Sequence, residues 1–255
     1  MTTTQGFYDD LAEHYHFIFE DWSRSIERQA GILGPLLERY TGLSALRLLD
    51  CSCGIGTQAL GLAQRGHTVV ASDLSRASVA RAQREARRLG VEVQFHVADM
   101  RELNSVPAEG FDAVLAADNA LPHLLSEVDL SRAFEQMGSK LRRGGTLAAT
   151  VRDYDQLIQT RPAMQPPAFF GAAGQRRIVH QVWDWDGTEY DLHLYISFET
   201  AVGWVSKHYI SRYRALLRAE ISASLERAGF TEVEWLEPQA TSFYQPIVVA
   251  RKEPS

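Results

Sequence analysis

Apolar positions along the chain follow two rhythms that alternate. Short apolar runs at residues 46–50, 67–73, 92–97, 111–117 and 146–151 read as strands. The stretches between them at 57–65, 75–89 and about 130–142 show the three-to-four spacing of amphipathic helices. Ser75 is placed to cap the second of these helices and Gly90 to end it. Gly144-Gly145 reads as the turn into the strand at 146–151. This alternation predicts βαβ units and an α/β, Rossmann-like core, a doubly wound and mostly parallel sheet. Two helix-like segments, at 8–20 and 25–40, precede the first strand. A helix at about 216–227 ending at Gly229, with strands at 231–236 and 246–251, closes the sheet and supplies an antiparallel edge strand.

One part of the chain breaks the rhythm. Residues 156–173 turn rich in Pro and Gly, and residues 176–213 read as strands carrying Trp183, Trp185, Tyr190, Tyr195 and Trp204, with Asp186-Gly187 as a hairpin turn. The expected organisation is therefore an N-terminal helical lid at 1–44, a cofactor-binding core at 45–155 and 214–255, and an inserted β-rich substrate cap at 156–213.

Charge narrows the partners. With 26 Lys+Arg against 32 Asp+Glu over 255 residues, the formal net charge is −6, which removes the broad basic footprint of a nucleic-acid-coating protein. Arg81, Arg84 and Arg88 share one helix face and read as a solvated surface. No apolar run approaches the ~20 residues of a membrane span, and the polar, acidic start does not read as a signal peptide, so a cytoplasmic protein without membrane contact is expected. The two cysteines, Cys51 and Cys53, fit a reducing compartment, and neither a metal site nor a nucleophilic triad is discernible.

The candidate chemistry begins where the first strand ends. In LLDCSCGIGTQA, Asp50 closes the strand, and Gly54 and Gly56 let the backbone turn sharply so that a ligand approaches main-chain atoms at the next helix. The third glycine of a dinucleotide fingerprint is missing, which disfavours a pyrophosphate. Asp73 and Asp99 leave the second and third strands. A carboxylate at Asp73 suits ribose hydroxyls, and there a nicotinamide cofactor remains an alternative. The loop resembles motif I of the class I S-adenosylmethionine-dependent methyltransferases, with Ser52 in place of that family's common first glycine. The resemblance implies S-adenosyl-L-methionine as cofactor, Asp73 on its ribose, Asp99 and Met100 beside its adenine, and Leu74 and Ala117 in the same site.

The segments FYDDLAEHYHFIFEDW, DNALPHLL and VRDYD are similar to the glycine and sarcosine N-methyltransferase branch of that family. This implies that Tyr8, Tyr15 and Trp22 belong to a lid over the cofactor and that Arg28, with Arg24 as competitor, meets its carboxylate. It also places His123 near the methionine portion. Asn119 contacts the acceptor, and Arg152 binds the acceptor's carboxylate, a task suited to a planar, bidentate guanidinium; an ion pair with Asp153 or Asp155 is the structural alternative for Arg152. Tyr154 could direct an oxygen at the methyl carbon, and Asp118 or Asp153 could attract the acceptor's ammonium. The implied activity is methyl transfer by direct displacement to the amine of a small amino-acid-like acceptor, and the resemblance permits a homo-oligomer. A small-molecule N-, O- or C-methyltransferase of specialised metabolism, a nicotinamide oxidoreductase and a non-catalytic cofactor-binding protein are the alternatives.

Overall fold

The structure is a computed structural model describing residues 3–253; positions 1–2 of the expected lid and 254–255 of the expected core lie outside the described residues. Its elements in chain order are α1 (Thr4–Leu11), α2 (Trp22–Thr41), β1 (Arg47–Asp50), α3 (Thr57–Gln64), β2 (Thr68–Asp73), α4 (Arg76–Leu89), β3 (Val93–Val97), β4 (Phe111–Ala116), α5 (Glu127–Lys140) and β5 (Leu141–Thr150). There follow α6 (Tyr154–Thr160), β6 (Met164–Phe170), β7 (Arg177–Asp186), β8 (Glu189–Thr200), β9 (Gly203–Arg214), α7 (Arg218–Arg227), β10 (Phe230–Leu236), α8 (Pro238–Thr241) and β11 (Ile247–Lys252).

Local chemistry accounts for several boundaries. Ser75 Oγ accepts from Ser78 N at 3.0 Å, satisfying an open donor at the start of α4, and Gly90 ends that helix in the left-handed region. Asp21 caps α2 in the same way, and the buried stripe Ile26, Ala30, Leu33 and Leu37 sets the face that α2 turns to the core.

The core sheet has the order β10-β11-β5-β4-β1-β2-β3. The pairs β1–β2, β2–β3, β1–β4 and β4–β5 are parallel, whereas β11 runs antiparallel to both β5 and β10. Strand order reverses between β1 and β4, so a crevice opens at their carboxyl ends, the place where open α/β sheets bind ligands. This is the expected Rossmann-like class I architecture. One local reading differs: Gly144-Gly145 lies inside β5 at a register shift against β4, so the chain bulges there without turning.

A second, four-stranded antiparallel sheet, β6-β7-β8-β9, stands beside the core. Alternate residues of β8, Tyr190, Leu192, Leu194 and Ile196, are buried on one face. The stretch that composition marked only as Pro- and Gly-rich contains α6 and β6. Pro166 and Pro167 are tolerated because β6 is an edge strand and its pairing with β7 shifts register between Gln165 and Ala168.

The N-terminal segment is tied down on two sides. Asp9 Oδ1 accepts from Ser75 Oγ at 2.6 Å and Ala77 N at 3.0 Å, and Arg177 donates to the Phe17 and Phe19 carbonyls at 3.0 and 2.6 Å. Arg81 corrects the reading of a solvated arginine face. Its side chain is only partly exposed, donating to the Glu13 carbonyl and pairing with Glu85, so it anchors the N-terminal segment to α4.

Helices α2 and α3 cross at Gly61, where a Cβ would stand 2.7 Å from both Ala30 Cβ and the Ile26 carbonyl oxygen. Because one of those atoms is backbone, the contact has no flexible end to give way. Gly61→Ala is expected to cost about 2–3 kcal/mol by overpacking, which for a chain of this size is a fall in Tm of roughly 2–4 °C per kcal/mol. A melting curve at the wild-type midpoint would refute this close packing.

Candidate active site

At the crevice the β1–α3 loop is held by a side chain that leaves the neighbouring strand β2. Asp73 accepts from Gly54 N through Oδ2 and from Ser75 N through Oδ1, both at 2.8 Å, so one carboxylate fixes two loops. Gly54 and Gly56 adopt φ of +52° and +99°, and at Gly56 a Cβ would press on Leu60 at 2.9 Å. Burial pushes the Asp73 carboxyl up to about 6 against the two backbone donors. Burial likewise drives Asp50 up to about 8, against the Ser52 N–H and helped by the charges of Asp73 and Asp118.

The cavity over this loop is lined by Tyr8, Tyr15, Ser52, Gly54, Asp73, Leu74, Asp99, Met100, Ala117 and His123, all expected from the sequence. Tyr8 and Tyr15 come from the N-terminal segment, and Tyr8 Oη lies 2.8 Å from His123 Nε2. Burial lowers His123 to about 3, with the Arg152 charge acting in the same direction, so this imidazole is neutral, with a single ring N–H, and orients Tyr8. Asp99 is gripped by Arg101, with contacts of 2.6 to 3.1 Å, and Arg101 also reaches Asp129 at 3.0 Å. Burial works to raise Asp99, and the Arg101 bonds overcome it and hold the carboxyl below its usual range. Sequence reasoning missed Arg101 and Gln58, which also line this cavity; only spatial neighbours reveal them.

Three residues expected at the cofactor support the site from behind. Trp22 Nε1 donates to Thr57 Oγ1 at 2.9 Å beneath the loop, Gly56 forms the amino-terminal cap of α3, and Asp50 is buried behind Ser52. Asp50 Oδ2 and Ser52 Oγ are both buried and lack a partner in the protein. Polar atoms left open at the loop are the feature expected where a polar, cationic ligand completes the bonding. Arg28 is exposed and lines the neighbouring chamber, as does Arg24, which pairs with Asp21 at 3.6 Å.

That chamber, about 1200 Å³, opens between the core and the antiparallel sheet and shares Tyr8, Tyr15 and Asp118 with the first cavity. Asn119 and Arg152 stand on its wall. Asn119 Oδ1 accepts from Arg152 N at 3.0 Å, and Asn119 Nδ2 donates to Tyr154 Oη at 3.0 Å. Tyr154 and Tyr190 hydroxyls meet at 2.8 Å, and Arg152 donates to Tyr190 Oη at 3.1 Å and Gln181 Oε1 at 3.2 Å, with its guanidinium 4.8 Å from the Trp183 ring centre. Every one of these partners is neutral. Arg152 forms no ion pair among the described residues, and Asp153 and Asp155 pair instead with Arg218, at 3.4 and 3.7 Å. Tyr154 is fully buried and lines neither cavity, so its hydroxyl positions Asn119 and Tyr190.

The remaining cap residues divide by face. Trp183 and Tyr190 stack beneath Arg152, whereas His193 and His208 pair with each other at 2.9 Å on an exposed part of the sheet and Trp204 is also exposed. Arg176 and Arg177, at the start of this sheet's second strand, do not line the chamber: Arg176 bonds Glu199 and Arg177 bonds the N-terminal carbonyls.

Against known proteins, residues 48–145 match the family model described as a methyltransferase domain. Over those residues the chain carries a class I S-adenosylmethionine-dependent methyltransferase domain. The glycine/sarcosine N-methyltransferase of Parasynechococcus marenigrum is 29% identical over 161 residues, 63% of this chain and 56% of that protein. The glycine N-methyltransferase of Rattus norvegicus is 32% identical over 155 residues, 56% of this chain and 52% of that protein. The match thus spans little more than half the length of these relatives. Among solved structures, Streptomyces venezuelae DesVI superposes with a TM-score of 0.78 at 20% identity, covering 96% of this chain and 98% of that one. CalS10, an amino pentose methyltransferase of Micromonospora echinaspora, gives 0.72 at 21% identity, covering 89% and 91%. The fold of these structures is therefore shared over nearly the whole chain. Among the described residues no helix is long and apolar enough to cross a membrane.

Proposed function

We propose that this methyltransferase transfers a methyl group to the amine of a small acceptor that also bears a carboxylate, with glycine and sarcosine as the simplest members of the class. The observation that carries this reading is Arg152, a guanidinium on the chamber wall supported only by neutral groups and so left with an uncompensated charge. An acceptor carboxylate supplies the missing counter-charge and the bidentate geometry. The named N-methyltransferase relatives support the same acceptor class.

When bound, S-adenosylmethionine supplies a sulfonium methyl group open to direct displacement. The protein's part is to hold and exclude. Asp73 keeps one free lone pair on each oxygen beyond its two backbone bonds, enough to accept from two ribose hydroxyls. Tyr8 and Tyr15 wall the boundary between the cavities and keep water from the reacting centre. Asn119, fixed at both ends of its amide, sets the distance between Arg152 and that boundary.

A second reading, an amine on a larger and more hydroxylated scaffold, is favoured by the chamber itself. Its 1200 Å³ exceeds what glycine fills, and Gln156, Gln165, Gln181, Gln239 and Gln245 line it with donors and acceptors suited to hydroxyl groups. The test is methyl release from S-adenosylmethionine against glycine, sarcosine, larger amino acids and amino sugars. Turnover of amino acids supports the first reading, turnover confined to amino sugars supports the second, and turnover of phenols alone sinks both.

A further inference from the structure

The sharpest backbone feature at the junction of the two cavities is a pair of consecutive non-glycine residues in the left-handed region, Asp118 at φ +57° and Asn119 at φ +65°. Such a conformation costs free energy and persists only where its surroundings hold it. Here they do. Asp118 N donates to Thr150 Oγ1 at 2.9 Å, Thr150 Oγ1 donates to Gln245 Oε1 at 2.8 Å, and Asn119 N donates to the Thr150 carbonyl at 3.0 Å. The consequence is that Asn119 turns toward Arg152 while the Asp118 carboxylate enters the lining of both cavities.

We infer that Asp118 is a catalytic residue that docks the acceptor's ammonium group opposite Arg152 and takes its proton. This deepens the proposed function and rests on it, because only an amine acceptor presents an ammonium for a carboxylate to dock and deprotonate. With Arg152 on the chamber wall, a cation without an ion pair among the described residues, and Asp118 at the junction, the site sets a cation and an anion where a zwitterion would lie. The N–H bond breaks as an O–H bond forms on Asp118. The nitrogen lone pair so released forms the N–C bond to the methyl group while the C–S bond breaks with its electron pair on sulfur, and the Asp118 proton returns to the solvent of the open chamber.

The surroundings of Asp118 suit a base. The Tyr244 hydroxyl donates to Oδ1, a Gln58 side-chain bond and the Arg28 charge favour the carboxylate, and Asp50 and Tyr15 lie within electrostatic reach. Burial dominates and lifts the carboxyl to about 6, which narrows its gap to an ammonium.

The test uses Asp118→Asn, since asparagine tolerates the left-handed backbone, and Tyr244→Phe at a half-exposed position. For the acceptor that the wild type turns over, Asp118→Asn is expected to lower kcat/KM about 100-fold, with calorimetric affinity for S-adenosylmethionine kept within about threefold. At S-adenosylmethionine concentrations that stay saturating across the range, the wild-type pH profile of kcat/KM for the acceptor should fall below about pH 6 as Asp118 protonates, a limb absent from Asp118→Asn. In Tyr244→Phe, loss of a donor to the carboxylate should move that limb to higher pH. Unchanged kcat/KM in Asp118→Asn, or loss of cofactor affinity equal to the loss of turnover, overturns the assignment. A wild type that methylates no amine overturns the proposed function first and this inference with it.

Discussion

Replacing Arg152 by lysine should lower kcat/KM for a carboxylate-bearing acceptor about 100-fold, equivalent to about 2.7 kcal/mol at 1.36 kcal/mol per factor of ten. The loss should appear chiefly in the acceptor's KM, with the affinity for S-adenosylmethionine within about threefold of wild type. The reason is geometric. Arg152 uses two nitrogens on Tyr190 and Gln181 and lies over Trp183, so its plane is fixed before the acceptor arrives. A lysine ammonium retains the charge but has neither the fork nor the flat face that rests on the indole. Arg152→Met should lose more, since charged contacts to a bound partner are worth about 2–5 kcal/mol when truncated. Stability should move differently. The guanidinium has no carboxylate partner among the described residues, so methionine removes a desolvated charge from the wall and the melting temperature should not fall. Parallel losses in acceptor and cofactor affinity would show that Arg152 merely shapes the site, and a lowered melting temperature would assign it a structural role.

How far the sequence leads to this site can be followed residue by residue. Periodicity locates the strands of the core, and the acids Asp50 and Asp73 at strand ends need only the rule that parallel strands deliver their last residues to one crevice. What periodicity cannot see is the partner of a side chain. Trp22 has the aromatic character expected of a lid, yet its indole N–H is used by Thr57 beneath the loop. Arg28 stands in the larger chamber, apart from the cavity over the β1–α3 loop, because the tilt of α2 is set by its buried stripe and by Gly61 on α3. Tyr154, named for the methyl group, is drawn into the Asn119 and Tyr190 network by hydroxyl bonds that no sequence spacing encodes. The arginines of α4 mislead for the same reason, since helical spacing puts them on one face and gives no sign that the N-terminal segment lies against it. The edge strand β6 is hidden by its prolines, which the handling of sheet edges permits.

The affinity for S-adenosylmethionine should fall as pH drops from about 7.5 to 5, by approaching tenfold per pH unit once below the Asp73 value near 6. The sign follows from which state binds better. Burial raises Asp73, so in the free protein it takes up a proton as pH falls through about 6. Each of its oxygens already accepts one backbone N–H, leaving one lone pair apiece for the ribose hydroxyls. A proton on either oxygen consumes half of that remaining capacity. It also removes a negative charge facing a ligand that carries a sulfonium and an ammonium, so binding favours the ionised form and releases a proton near pH 6. Titrations in two buffers of different ionisation enthalpy would measure that release directly. S-adenosylhomocysteine, which has the ribose but not the sulfonium, should show the same limb with a smaller drop. Asp73→Asn should bind weakly at pH 7.5 and lack the limb, since the amide does not titrate and offers its nitrogen as a donor where Gly54 N and Ser75 N both require acceptors. An affinity that stays flat from pH 5 to 8 would mean that the cofactor's hydroxyls and charges are met by groups other than this carboxylate.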